Sequence, residues 1–460
     1  MFGTIFKKEL LDQILSPKFL IVSLLCLVLI PASFLLNSAS YNDAFREYDA
    51  SRRDAKDTTT VFRSPSPLST FGIGLESVLP KSVVFSKYQT EAKGARAQSE
   101  VLSNINGKLD FVVIVGSLLS LFAVLYAGTM ACGEKEAGTL KLVLANSVKR
   151  STVIAAKFLG GFSVLLLPFA AAVLIGLLLL LLQGFPLFAA AQAGRVLALL
   201  ALAVLYLAAL FSLGLFISTR THKASLALLA GFFVWIFLTF IIPKTSEPIA
   251  GLIRKVQSEE AMKANRAQVR GQIEKEKGRA LKPLMDKYLG RQSAGWDWKG
   301  YTQARGPVAQ KFEERIDQTL QKFDAEYELK KNARRRLSLN IARLSPTAVF
   351  TQAALNLCDT GVADLDNFDG SLRSHRLQLF QAVFWFQFND EYSSEDGHTN
   401  MGYSGNSRED DKVVYPQFRY AFPRFEETLR ATAPDILLLV FFNLLFFAAA
   451  YVSFTRYDVR

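Results

Sequence analysis

Six long apolar runs decide most of what this chain can be. They are Phe19–Leu36, Phe111–Met130, Phe158–Leu182, Ala193–Ile217, Ala224–Ile242 and Pro434–Phe454. A helix rises 1.5 Å per residue, so about 20 apolar residues cross the roughly 30 Å hydrocarbon core of a bilayer. The runs predict an all-α membrane protein with six transmembrane helices. A composition of 50% hydrophobic residues agrees, because the apolar residues are gathered in these runs rather than spread through the chain. The bilayer itself is therefore an expected partner.

Orientation follows from the short basic segments, which stay on the cytoplasmic side. Lys7, Lys8 and Lys18 precede span one, and Lys135, Lys141, Lys149, Arg150 and Lys157 lie between spans two and three. Arg220 and Lys223 join spans four and five, and Arg456 and Arg460 follow span six. Six spans put all of these on one side, with both termini cytoplasmic; an odd number would not. Arg195, near the end of span four, is expected to snorkel to the interface. The net charge of +12 is read as loops facing the cytoplasm and anionic lipid, and no nucleic-acid partner is expected.

The segments between the spans divide the rest. Residues 1–18 alternate Phe2, Ile5, Phe6, Leu10, Ile14 and Leu15 with charges, as an amphipathic helix lying in the interface and ending near Pro17 would. A signal peptide is the rival reading, weakened by Glu9 and Asp12. Residues 37–110 and 243–433 then face outward. In the first, Ala39–Asp57 and Tyr88–Lys108 read as charged helices, with a Pro- and Gly-rich loop between. In the second, Ile249–Leu289 and Pro307–Arg343 read as a helical hairpin over about 249–343, joined by Gly290–Gly306. Thr347–Thr360, a helix near Leu372–Phe388 and a polar loop Glu391–Asp411 follow, before Pro434 starts span six and residues 455–460 form the tail. The cluster Phe384, Trp385, Phe386 and Phe388 reads as packing or an interfacial belt, with a cargo surface as the alternative. Arg334–Arg336 reads as a solvated face.

The chemistry that is missing matters as much. No phosphate-cradling Gly-x-x-x-x-Gly-Lys-Ser/Thr occurs, and no nucleophile elbow or zinc motif. His222, His375 and His398 are scattered, and Cys26, Cys132 and Cys358 fall at different depths, so no metal site or disulfide is expected. The spans carry essentially no Asp or Glu, as an ion-coupled transporter would need. The chain is expected to be no enzyme, to bind no cofactor and to take its energy from elsewhere.

That leaves residues 131–157. The order Gly133-Glu134-Lys135-Glu136-Ala137-Gly138-Thr139-Leu140, then a short linker and Arg150, joins spans two and three. As physics alone it is a solvated connector or an amphipathic lever, with Leu140, Leu142, Val143 and Leu144 as an apolar face. Its pattern resembles the cytoplasmic loop of type-2 ABC transporter permeases, where it marks the helix that docks on the ATPase. The N-terminal helix resembles that family's elbow helix. Further similarity to one subgroup runs from Arg63-Ser-Pro-Ser-Pro-Leu-Ser to Glu76, through Leu344-Ser-Pro, Leu357 and Asp359-Thr-Gly, to Phe422-Pro-Arg-Phe and Tyr457-Asp-Val-Arg. The resemblance implies ATPase coupling through Gly133, Glu134, Lys135, Glu136, Gly138, Thr139, Leu140 and Arg150, with Phe6, Lys7, Lys8, Glu9 and Leu10 on the elbow. It also implies two ATPase subunits carrying ATP and Mg, a second permease subunit, and a place in a bacterial inner membrane. The function expected is export; the alternative is a membrane-anchored relay that moves an extracytoplasmic protein.

Overall fold

The computed structural model describes residues 2–54, 60–77, 79–85, 90–93, 109–145, 149–185, 190–290, 297–392, 418 and 420–457. Six of its helices are long and apolar enough to cross a membrane: Pro17–Arg53, Phe111–Glu136, Arg150–Leu182, Gln192–Arg220, Ala224–Ile253 and Phe425–Thr455. The chain forms two compact units, one of Met1–Ile241 with Leu344–Arg460 and one of Ile242–Arg343.

The first unit opens with α1 (Phe2–Ile14) and α2 (Pro17–Asp54). Span one and the charged flank after it are thus one continuous helix, and Pro17 begins α2 rather than only ending α1. Span two is built from α3 (Phe111–Val113), a π-helical turn over Ile114–Leu119 and α4 (Ser120–Gly128). After α5 (Cys132–Glu136) and α6 (Thr139–Ala145) come α7 (Arg150–Leu182) and α8 (Ala190–Arg220). Then α9 (Ala224–Ile236) runs into a second π-helical turn, Phe237–Ile241. The ends of these helices nearest Arg150 form a basic face; Arg195 marks the opposite one.

Aromatic and branched side chains close the bundle. Phe34, Phe71, Phe111, Tyr206, Phe211 and Phe454 are fully buried. Spans two and four come close enough to exclude a side chain. A Cβ on Gly214 would press on the Val124 carbonyl oxygen and lie 2.9 Å from Val124 Cα.

Past residue 343 the chain enters α13 (Pro346–Leu357), in which Val349, Phe350, Ala353, Ala354 and Leu357 are all buried. It starts beside Tyr206, whose ring stacks on Phe350 at 4.5 Å. Tyr206 lies about 21 Å along α8 from Arg220 at 1.5 Å per residue, short of a roughly 30 Å hydrocarbon core. The start of α13 therefore packs against a part of α8 well away from its Arg220 end. Its polar groups find partners there, as apolar surroundings require. Tyr206 Oη donates to Gly116 O in the first π turn (2.8 Å) and lies 2.9 Å from Thr347 Oγ1. Thr239 in the second π turn is 3.2 Å from Thr347, and Ser345 Oγ donates to Leu238 O. Trp235 Nε1 donates to Ser120 Oγ at 2.9 Å.

On the opposite face, β1 (Thr60–Phe62), β2 (Ser82–Phe85) and β3 (Thr90–Lys93) make a small antiparallel sheet. The helix expected over Tyr88–Lys108 is thus a strand where it is described. Val83 is buried and β2 offers a free edge, so pairing overrides local helix preference. Three of the segments quoted above, around Arg63–Glu76, Asp359-Thr-Gly and Phe422-Pro-Arg-Phe, meet here. Arg63 pairs with Glu76 (2.7 Å) and Asp364 (2.6 Å). Ser66 Oγ donates to Cys358 O, and Thr360 Oγ1 to Gly72 O, each at 2.8 Å. Arg195 does not snorkel: it is 5% exposed and pairs with Asp359. Asp359 holds a left-handed φ of 54°, which favours glycine; its carboxylate explains why it stands there.

α14 (Val362–Tyr392) and α15 (Phe425–Thr455) complete this unit. Pro434 lies inside α15, whose start is set ten residues earlier, where Glu427 accepts from Arg424 N at 3.1 Å. Asp435, the acidic residue at the start of the expected sixth span, is buried at 1% exposure. The side chains of Phe384, Trp385, Phe386 and Phe388, and residues 393–411, lie outside the described residues.

The second unit holds α10 (Ile242–Ile253), α11 (Glu259–Leu289) and α12 (Trp298–Ala342). The helix expected from Ile249 breaks at Arg254–Ser258, because Ser258 Oγ caps α11 by accepting from Ala261 N at 3.2 Å. Likewise α12 starts at Trp298, not Pro307, because Asp297 Oδ1 accepts from Gly300 N at 2.8 Å. α11 and α12 run antiparallel, as Arg266–Asp324 (3.4 Å) and Lys277–Glu313 (2.6 Å) show. Their apolar seam is short, being Val269, Ile273, Phe312, Ile316 and Leu320. The uneven heptads thus give a hairpin, not an extended coiled coil.

Gly214→Ala is expected to destabilise the bundle by about 1–3 kcal/mol, because the obstacle is backbone and cannot rotate away. A thermal unfolding midpoint equal to wild type in detergent would contradict this.

Candidate functional site

The connector between spans two and three folds onto the basic face as α5 and α6. Its start is fixed by Ser218 Oγ, which accepts from Ala131 N (2.9 Å) and Cys132 N (3.0 Å). Those amides are among the orphan donors of a helix start, so the α8 serine serves as their cap. Gly138, at φ 72°, turns the chain from α5 into α6, a left-handed step that glycine takes without strain.

Between these points stand Glu134, Lys135 and Glu136, and each reaches a different part of the bundle. Glu134 Oε1 is 3.2 Å from Lys8 on α1, and its Oε2 is 2.8 Å from Lys157 on α7. Lys157 also holds Glu9 of α1 at 2.7 Å. Lys135 Nζ donates to Thr219 O (2.5 Å) and Thr221 O (3.2 Å) at the end of α8. It also sits 4.5 Å from the ring centre of Tyr457, beyond α15. Glu136 Oε2 accepts from Ala224 N at 2.8 Å, capping α9. Arg150, at the head of α7, donates to Thr455 O (2.7 Å) and Tyr457 O (2.8 Å), closing the end of α15.

Electrostatically the cluster balances. Lys8 and Lys157 face Glu9 and Glu134, with Lys157 1% and Glu9 4% exposed. Burial lowers the Lys8 pKa, but the carboxylates of Glu134, Glu9 and Asp12 together outweigh this and raise it. Removing one member of such a buried set leaves an uncompensated charge, at a cost of about 3–5 kcal/mol.

The other expected residues take definite places. Leu140 is buried and Thr139 exposed, its hydroxyl 3.4 Å from Glu134 O. A Cβ on Gly133 would meet nothing within 4 Å. On α1, Phe6 stacks loosely on Phe2, Lys7 is exposed and Leu10 packs on the core. α1 crosses α7 at Gly160, where a Cβ would lie 3.0 Å from Glu9 Cβ. Leu142 is 70% exposed.

Lys157, Ser218 and Tyr457 were not singled out as site residues from sequence. Lys157 reads as one more loop cation, yet it belongs to the helix that buries Val153, Ile154 and Gly161. That register, carried back from span three, would have turned it inward.

A family profile described as ABC-2 family transporter protein matches residues 3–459. The chain belongs to the ABC-2 transporter family. No curated protein matches it. With its six apolar helices it is an integral membrane protein. ABC-2 membrane proteins in general work with ATPase subunits, and this member's α1, α5 and α6 meet in one cluster on its basic face.

Lys157→Met should cost about 3–5 kcal/mol of stability, and Glu9→Gln with Glu134→Gln in the same chain should restore most of it. Denaturant unfolding in detergent checks this; equal stability of the single and triple variants would contradict the charge argument.

Proposed function

We propose that this chain is the permease subunit of an ATP-driven exporter, with a separate ATPase acting on α5 and α6. The observation that carries the reading is the division of labour among Glu134, Lys135 and Glu136. A displacement of α5 would reach α1, α7, α8, α9 and the end of α15 together, which is what a transmission element has to do. Of the charges expected to orient the ATPase, Glu134, Glu136 and Arg150 have partners inside the chain, whereas Lys141 is exposed. The docking surface proposed instead is α6, with exposed Thr139, Lys141 and Leu142. In this reading the basic face is cytoplasmic, in a bacterial inner membrane. Two ATPases hold ATP and Mg, and two permeases pair about a two-fold axis.

The alternative is a relay that moves an outer partner without passing cargo through the membrane. One feature favours it: Ile242–Arg343 is a compact unit of its own, with its own apolar seam. Transport by the purified complex in vesicles separates the two readings.

Purification with the ATPase provides the direct measurement. Leu142→Asp should weaken ATPase association roughly tenfold or more, since a buried leucine contributes about 1.5–3 kcal/mol. Leu329→Asp, on equally exposed α12, should leave it unchanged. Equal affinity for the Leu142→Asp variant and wild type would refute docking on α6. Glu136→Arg should retain the ATPase but slow ATP hydrolysis, and an unchanged rate would refute transmission through α5.

A further inference from the structure

Tyr457 stands one residue past the last helical turn, yet three separate segments hold it. Its ring lies under the Lys135 ammonium at 4.5 Å and beside the His222 ring at 6.1 Å. Its carbonyl accepts from Arg150 Nη1 at 2.8 Å, and the same nitrogen holds Thr455 O at 2.7 Å. An ammonium over an aromatic face is attracted by the ring quadrupole, and the attraction grows as water is excluded. The Thr455 carbonyl is one of the orphan acceptors at the end of α15 and the Tyr457 carbonyl lies just beyond it, so Arg150 both caps that helix and ties down the residue after it.

α15 continues from this clamp to the other face as one helix of 31 residues. Along the way Asn443 Nδ2 donates to Leu205 O of α8 at 2.9 Å, and Leu439 is fully buried. At its far end Thr428 Oγ1 accepts from Arg195 at 3.3 Å, and Arg195 also holds Asp359 and Pro423 O. A single continuous helix thus joins the α5 cluster to the buried ion pairs of the opposite face.

We propose that Tyr457 is a positioning residue through which α5 drives α15, its ring being the contact that makes the two move together. This rests on the reading of α5 and α6 as the ATPase-driven element. The ring carries the link because Lys135 reaches α15 through its face, whereas Arg150 belongs to α7 and binds main chain that any residue would supply. The phenolic hydroxyl makes none of these contacts, so phenylalanine should serve and an aliphatic residue should not.

The test uses the full complex with its ATPase and reports motion at two places. Cys26, Cys132 and Cys358 are buried, so cysteines introduced for Ala145 on α6 and for Leu444 on α15 can be labelled selectively. Spectra are compared without nucleotide, with Mg-ATP and with a non-hydrolysable analogue. Wild type and Tyr457→Phe should respond at both positions. Tyr457→Leu should respond at 145 and lose the response at 444, with an unchanged thermal midpoint. Should the leucine variant prove unstable, Tyr457→Met offers a linear side chain of similar bulk. A full response at 444 in either aliphatic variant overturns the proposal while the coupling reading stands. So does a wild type that responds at 145 and not at 444. No response at 145 in wild type overturns both.

Discussion

The basic face depends on Lys157. Its ammonium sits almost without solvent between the carboxylates of Glu9 and Glu134, at 2.7 and 2.8 Å. Burying such groups is costly, and well-packed apolar side chains of the same volume often stabilise a fold as well. What the ions add is direction. Glu9 belongs to α1, Glu134 to α5 and Lys157 to α7, so satisfying all three fixes one arrangement of three helices. Lys8 completes the balance from the more exposed side.

The same device closes the opposite face, where Arg63 and Arg195 are buried with Glu76, Asp364 and Asp359. Burial raises the Glu76 and Asp359 carboxyl groups above their usual range, and the arginines oppose it without cancelling it. Between the two faces the interior bonds described above are mostly neutral: Tyr206, Thr239, Thr347, Ser120 and Trp235 pair with one another or with carbonyls freed by the π turns. Such groups cost little in an apolar slab once each is bonded, whereas unpaired ions would cost several kcal/mol. The bundle is thus held by ions at its rims and by hydroxyls at its centre.

The rims and spans were unequally legible in the sequence. Long runs with at most one charge read as membrane helices, and the short basic loops select which ends lie together. α13 was not legible, because twelve mostly small or apolar residues are too few to span and could equally be a surface helix. Lys157 and Arg195 misled in related ways: the first reads as a loop cation and the second as a snorkelling residue, and only a carboxylate arriving from a distant segment shows otherwise. Asp359 is 164 positions from Arg195, and Glu9 is 148 from Lys157. At Ser258 and Asp297 the signals were local, and side-chain caps outweighed the composition of the surrounding helix.

That Glu134 and Glu136 are bonded to the chain's own helices, Glu134 half-buried and Glu136 exposed, also fits the energetics of a moving part. Ion pairs exposed at a transient interface contribute about 0–1 kcal/mol, while breaking a buried, hydrogen-bonded set costs several times that. A segment that used its charges to hold an outside partner would grip its own bundle weakly, and a push would bend the connector before it displaced a span. With the charges spent on α1, α7, α8 and α9, the connector is stiff towards the bundle. Leu142 on α6 is exposed, and an apolar contact with a partner there can form and release without disturbing the ion pairs beneath it.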